Sequence, residues 1–114
     1  VKHFRVLTLL ALAQGICDAA VAKRYEQVQR PETMRWPDYR LRLKQRIEQG
    51  LDEIEHHWMA DLESIHAGSI AVACMLGYVD YRHDALKWRS TRPQLAAFAA
   101  RFNKRLSMEA WPLE

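Results

Sequence analysis

Residues 67–81 read Ala67-Gly68-Ser69-Ile70-Ala71-Val72-Ala73-Cys74-Met75-Leu76-Gly77-Tyr78-Val79-Asp80-Tyr81, and this stretch decides the fold. Ile70, Val72, Ala73, Cys74, Met75, Leu76 and Val79 are apolar nearly all round a helical cylinder, with no two-residue alternation to suggest a strand. A helix without a polar face has to be surrounded by other elements. The run Ile70 to Val79 is about half the length that a bilayer span needs, so the middle of a helical bundle is its expected place. Its start carries a hydrophobic staple: with His66 as N-cap, Ile65 and Ile70 fall at the two staple positions.

Three further helices flank this one. The first runs from about His3 to Gln29, with Val6, Leu9, Leu10, Ala13, Ile16, Cys17, Ala20 and Val21 as an apolar stripe that must pack on its neighbours. Thr8, Ala11, Gly15, Asp18 and Ala22 form a second, small and polar stripe, with Gln14 beside it. Such a surface suits close approach of another backbone or contact with a ligand. Arg30-Pro31 closes this helix, because proline disfavours helical geometry in the residue before it. Pro37 is well placed as the first residue of a second helix. Tyr39, Leu43, Ile47, Leu51, Ile54 and Trp58 are its buried stripe, and Gly50 allows a close crossing. Arg40, Arg42, Lys44, Arg46, Glu48, Asp52, Glu53 and Glu55 occupy the remainder. Their charge drifts from basic to acidic, against the preference of the helix dipole, and helix stability alone gives no reason for that order. After a loop at about 60–65 and the central helix, Thr91-Arg92-Pro93-Gln94 spells a capping box. The last helix then runs to about Leu106 on Leu95, Phe98, Ala99, Phe102 and Leu106. The fold class is all-α, a helical bundle forming a single domain over residues 1–114.

Composition excludes several classes of protein. Hydrophobic residues at 49% and charged residues at 27% belong to an ordinary globular chain rather than a disordered one. No transmembrane segment and no signal peptide is expected, since Arg and Lys soon follow the early apolar run Val6 to Ala13. Cys17 and Cys74 stand 57 positions apart within apolar helical patterns, which predicts reduced, buried thiols and a cytoplasmic location. The first residue is Val rather than Met, as in a fragment or a processed chain. Net charge is +3, with 12 arginines to 5 lysines, which brings nucleic acid into view. The run Arg35, Arg40, Arg42, Lys44 and Arg46 spreads over a wide arc and carboxylates interrupt the other cations, so a solvated face or a subunit contact is expected instead. His56 and His57 point about 100° apart on a helix and make no metal clamp. No His or Cys cluster has metal-binding spacing, no nucleophile has a neighbouring base, and no glycine-rich phosphate loop occurs.

Three segments taken together resemble a known family. Leu10 to Ala20, followed by Tyr25-Glu26 and Arg30-Pro31, looks like the first helix of the C-terminal domain of bacterial glutathione transferases. Gly50-Leu51-Asp52-Glu53-Ile54-Glu55 is similar to the end of their next helix, and Ser69 to Arg82 resembles their buried core helix. Trp88-Arg89 and Arg92-Pro93 match the approach to the following helix, and Arg105-Leu106-Ser107-Met108 its exit. The matches occur in order over nearly the whole chain.

The resemblance implies a two-domain, usually dimeric protein. A thioredoxin-like N-terminal domain would bind glutathione and activate its thiol, and the helical domain would supply a wall for a hydrophobic, electrophilic small molecule. Nothing in the chain reads as the thioredoxin-like half. Without the groups that lower the thiol's pKa, this chain alone is expected neither to bind glutathione nor to catalyse conjugation, and it has no catalytic residue of its own. Leu10, Gln14, Gly15, Asp18 and Trp111 are the implied co-substrate pocket. On the bland alternative, Gly15 is a packing contact, Asp18 a structural hydrogen-bonding residue and Trp111 the anchor of a chain end. Tyr78 and Tyr81 are expected in the core. One departure stands out: the family's core helix begins with Ser or Thr and has Asp three positions on, where this chain has His66 and Ser69. Either the His66 ring caps the helix or Ser69 takes part. A non-catalytic module for protein association is the competing function.

Overall fold

The computed structural model describes residues 2–29, 31–34 and 36–104, and every regular element among them is helical. Four α-helices form the bundle: α1 (Lys2–Arg24), α2 (Pro37–His57), α3 (Ala67–Arg82) and α4 (Pro93–Asn103). A π-helical turn, Tyr25–Gln29, extends α1, and short 3₁₀ turns occupy the connections. Helix α1 packs most widely on α3 and α2, while α4 lies across the ends of α2 and α3.

The core follows the sequence stripes. Leu9, Ala13, Ile16 and Ala20 of α1 meet Leu43, Ile47, Leu51 and Ile54 of α2 and Val72, Met75, Leu76 and Val79 of α3. Leu95, Phe98 and Phe102 of α4 close one side. By length and composition α1 could cross a bilayer, but its inner stripe is spent on this core and its outer stripe carries Gln14 and Asp18. At Gly50, α2 packs tightly on α1: a Cβ there would lie 2.5 Å from Ile16 Cγ1.

Some expectations fail at the edges of the bundle. Val21 is half exposed, Tyr81 is 44% exposed and Cys74 is exposed, because no described residue covers the outer sides of α1 and α3 at these positions. Cys17 is only half-buried, so the two cysteines are free thiols but not core residues. The capping box at Thr91–Gln94 does not form either. The N-cap of α4 is Arg92 and it makes no side-chain cap bond.

Candidate functional site

The cap of α4 comes from another helix. Glu55, 5% exposed near the end of α2, accepts from the backbone N–H groups of Leu95 at 2.8 Å (Oε1) and Gln94 at 3.3 Å (Oε2). A carboxylate on the positive end of a helix meets both free amides and the dipole. Beside it, the buried Arg92 donates from Nε to Asp52 Oδ1 at 2.8 Å and reaches the carbonyls of Trp88 and Glu48. The acidic end of α2 therefore serves tertiary contacts, which its own dipole would not have chosen. Asp80 at the end of α3 works similarly, accepting from Trp88 Nε1 at 2.9 Å and from both terminal nitrogens of Arg89 at 2.6 and 2.8 Å. Trp88-Arg89 and Arg92-Pro93 are thus the fittings that fix α4 to α2 and α3.

Both alternatives for the α3 start occur together. His66 Nδ1 accepts from Gly68 N at 3.0 Å and Ser69 N at 3.2 Å, while Ser69 Oγ accepts from His66 N at 2.9 Å. Since Nδ1 accepts, Nε2 carries the proton and donates to the Asp61 carbonyl at 2.7 Å. Gly68 makes room for the ring, since a Cβ there would sit 2.9 Å from His66 Cε1. Ile65 and Ile70 flank the cap with side chains 62% and 43% exposed. Asp61 is itself gripped by Arg5 of α1 at 2.7 and 2.9 Å, which holds its carboxyl below the usual range. His83, buried at the end of α3, binds the Ala20 carbonyl from Nε2 at 2.7 Å. Burial pushes its pKa down, the Ala20 bond opposes this, and Lys23, Arg24 and Arg82 add to the lowering.

With both ends of α3 tied to α1 and its linkers, the outer face of α1 is held open. Phe4, Leu7, Ala11, Gln14, Asp18, Val21, Tyr25 and Val28 recur at alternating steps of three and four, and all are exposed. Gln14 Nε2 donates to Asp18 Oδ1 at 2.9 Å, forming one polar patch midway along an otherwise apolar stripe. Gly15 lies next to it, and a Cβ there would meet no atom of the described residues within 4 Å. Leu10 is half-buried on the same helix. Around the corner Ala13, Gln14 and Cys17 of α1 and Ala71, Cys74 and Met75 of α3 line a hollow of about 160 Å³. Burial and the neighbouring Asp18 push the Cys17 thiol up, away from the reactive thiolate. Trp111 lies outside the described residues. No group of metal-ligating side chains occurs among the described residues.

The profile of the glutathione S-transferase C-terminal domain matches residues 19–101. The chain belongs to this family. An uncharacterized GST-like protein, YibF, of Escherichia coli (strain K12) is 33% identical over 97 residues, which are 82% of this chain and 48% of that protein. A glutathione transferase family member of Pseudomonas fluorescens Pf-5, crystallised with bound glutathione, is 40% identical, with a TM-score of 0.94 over 97% of this chain and 55% of that one. A glutathione S-transferase of Methylobacillus flagellatus KT with glutathione bound is 34% identical, with a TM-score of 0.85 over 96% of this chain and 56% of that one. The chain thus spans about half the length of the curated relative and of these solved structures. Two features of this glutathione S-transferase domain are not legible as such in the sequence: Glu55, which lies outside the apolar stripe of α2, and the Asp80 clamp. Glu55 sits four residues after Leu51, at the border of the buried stripe, and that spacing was its only signal.

Proposed function

We propose that this chain is the helical half of a glutathione transferase, forming the co-substrate wall and a subunit contact of an enzyme that joins glutathione to electrophiles. The reading rests chiefly on the outer face of α1, which no described residue covers and where apolar positions flank the Gln14–Asp18 pair and the open Gly15. A thioredoxin-like domain bearing glutathione would cover the apolar parts. Gln14 and Asp18 would orient a polar group at the edge of a hydrophobic co-substrate, beside the half-buried Leu10. The glutathione bound in the Pseudomonas and Methylobacillus relatives agrees with glutathione as the thiol substrate of the complete protein. Any part of the stripe that the thioredoxin-like domain leaves open would suit a second subunit in a homodimer, with a soluble, cytoplasmic setting for the whole.

The test uses the full-length protein that carries this domain. It should be retained on immobilised glutathione and turn over at least one of a panel of aryl halides, epoxides and enones. Gly15→Trp should depress turnover while leaving the thermal stability of the helical domain nearly unchanged, because a Cβ there meets no atom of the described residues within 4 Å. Retention without turnover over the whole panel would point to a non-catalytic association module. Neither retention nor turnover would sink the transferase reading.

A further inference from the structure

At the far end of α1 from the His66 cap lies a second concave site that the proposed chemistry does not use. Lys23 and Gln27 on one side, and Pro37, Arg40, Leu41 and Lys44 on the other, line an open hollow of about 330 Å³ between α1 and the first turns of α2. That is near the lower bound for small-molecule sites. Lys23 is 9% exposed, and no ion pair or hydrogen bond to a described residue holds its ammonium. No fully buried side-chain nitrogen lacks a partner among the described residues, so the ammonium keeps some exposure, and Lys23 is one of the residues that line the hollow. The nearest carboxylate in sequence, Glu26, is turned to the backbone N–H of Trp36 at 2.6 Å and is not among the lining residues.

Three like charges converging on one hollow repel each other, and burying one of them without a counter-charge costs stability. Burial lowers the Lys23 pKa, and Arg40 and Lys44 lower it further. The first turn of α2 adds the positive end of its dipole at Pro37, and the N-cap residue Trp36 offers no side-chain bond to offset it. Arg40 supplies a planar fork, Lys23 and Lys44 supply point charges, and Gln27 supplies an amide donor, a set matched to several oxygens on one compact anion.

We propose that the Lys23–Arg40–Lys44 hollow binds a small multivalent oxyanion of the phosphate class. An anion there would give Lys23 its missing partner and screen the three cations from one another. The proposal does not depend on the transferase reading, since it concerns another part of the surface and its test reads no conjugation.

The test is titration of inorganic pyrophosphate into this chain at constant ionic strength, followed by calorimetry, thermal unfolding and amide chemical shifts. Saturable binding is expected, with a rise in Tm and shifts centred on Lys23, Gln27, Arg40 and Lys44. Lys23→Met and Arg40→Gln should each weaken binding about tenfold or more, whereas Arg101→Gln, an equal loss of charge outside the hollow, should not. Lys23→Met should also unfold at a higher temperature than the parent without anion, because it removes one of three like charges that crowd one hollow. That gain separates loss of the site from loss of the fold. Binding that disappears when chloride matches the ionic strength, or that survives both variants, would overturn the proposal. So would tighter binding of a short single-stranded RNA than of pyrophosphate, because the ligand would then be a polymer backbone.

Discussion

Glu55 carries the first consequence at the scale of a residue. Glu55→Ala removes the acceptor of one buried and one part-buried backbone amide and should lower unfolding stability by about 1–3 kcal/mol. Urea denaturation would measure it, and a loss as small as that of a surface glutamate would contradict the capping role. His83 gives a pH signature. Its folded-state pKa is depressed, so the unfolded chain takes up the proton first. Stability should therefore fall as pH drops from about 6.5 towards the lowered folded value, and be complete above about 6.5. Thermal scans of the parent and of His83→Gln through this window would test it, since the variant should lose that slope. Both residues show where sequence reading stops. Glu55 and His83 carry the same letters as the solvated Glu53 and His56, and only the neighbouring helix makes the difference. His66 was more legible, because the staple spacing located the cap and left open only which group filled it.

At the scale of elements, the two glycines of the first two helices make opposite predictions. Gly50→Ala should be destabilising, because the added methyl meets the buried, stiff Ile16 side chain at 2.5 Å. Overpacking of that kind costs about 1–3 kcal/mol, partly offset by about 1 kcal/mol of helix propensity. Gly15→Ala meets nothing, so the propensity gain should appear unopposed, stabilising by about 0.5–1 kcal/mol. Chemical denaturation of the pair would show whether the α1–α2 crossing is as close as described, and equal effects would refute it. The helices themselves were legible because the 3.6-residue stripe is written in Leu, Ile, Val and Ala. The start of α4 departs from its sequence signal for an instructive reason: Thr91 and Gln94 have capping-box spacing, but a carboxylate from α2 already occupies the Gln94 amide that the box would serve.

For the molecule as a whole, the stripe from Phe4 to Val28 leaves a row of large apolar side chains on one helix face that no described residue covers, the kind of patch that marks an interaction surface. This chain on its own should self-associate, with the average mass from light scattering rising with concentration. Val21→Lys should suppress that rise without altering Tm, since Val21 is half exposed. A strict monomer over a wide concentration range would mean that the face is not sticky. The bundle and its order of helices could be recognised from sequence because family motifs mark each junction; the open side could not, since an unpartnered stripe and a buried one are spelled alike. The Glu55 bridge has a last consequence, in time rather than in structure. The first amides of α4 are sealed by a side chain about forty positions upstream, so hydrogen exchange at Leu95 cannot occur by fraying of α4 alone. The deuterium uptake of that one amide becomes a clock for the parting of two helices.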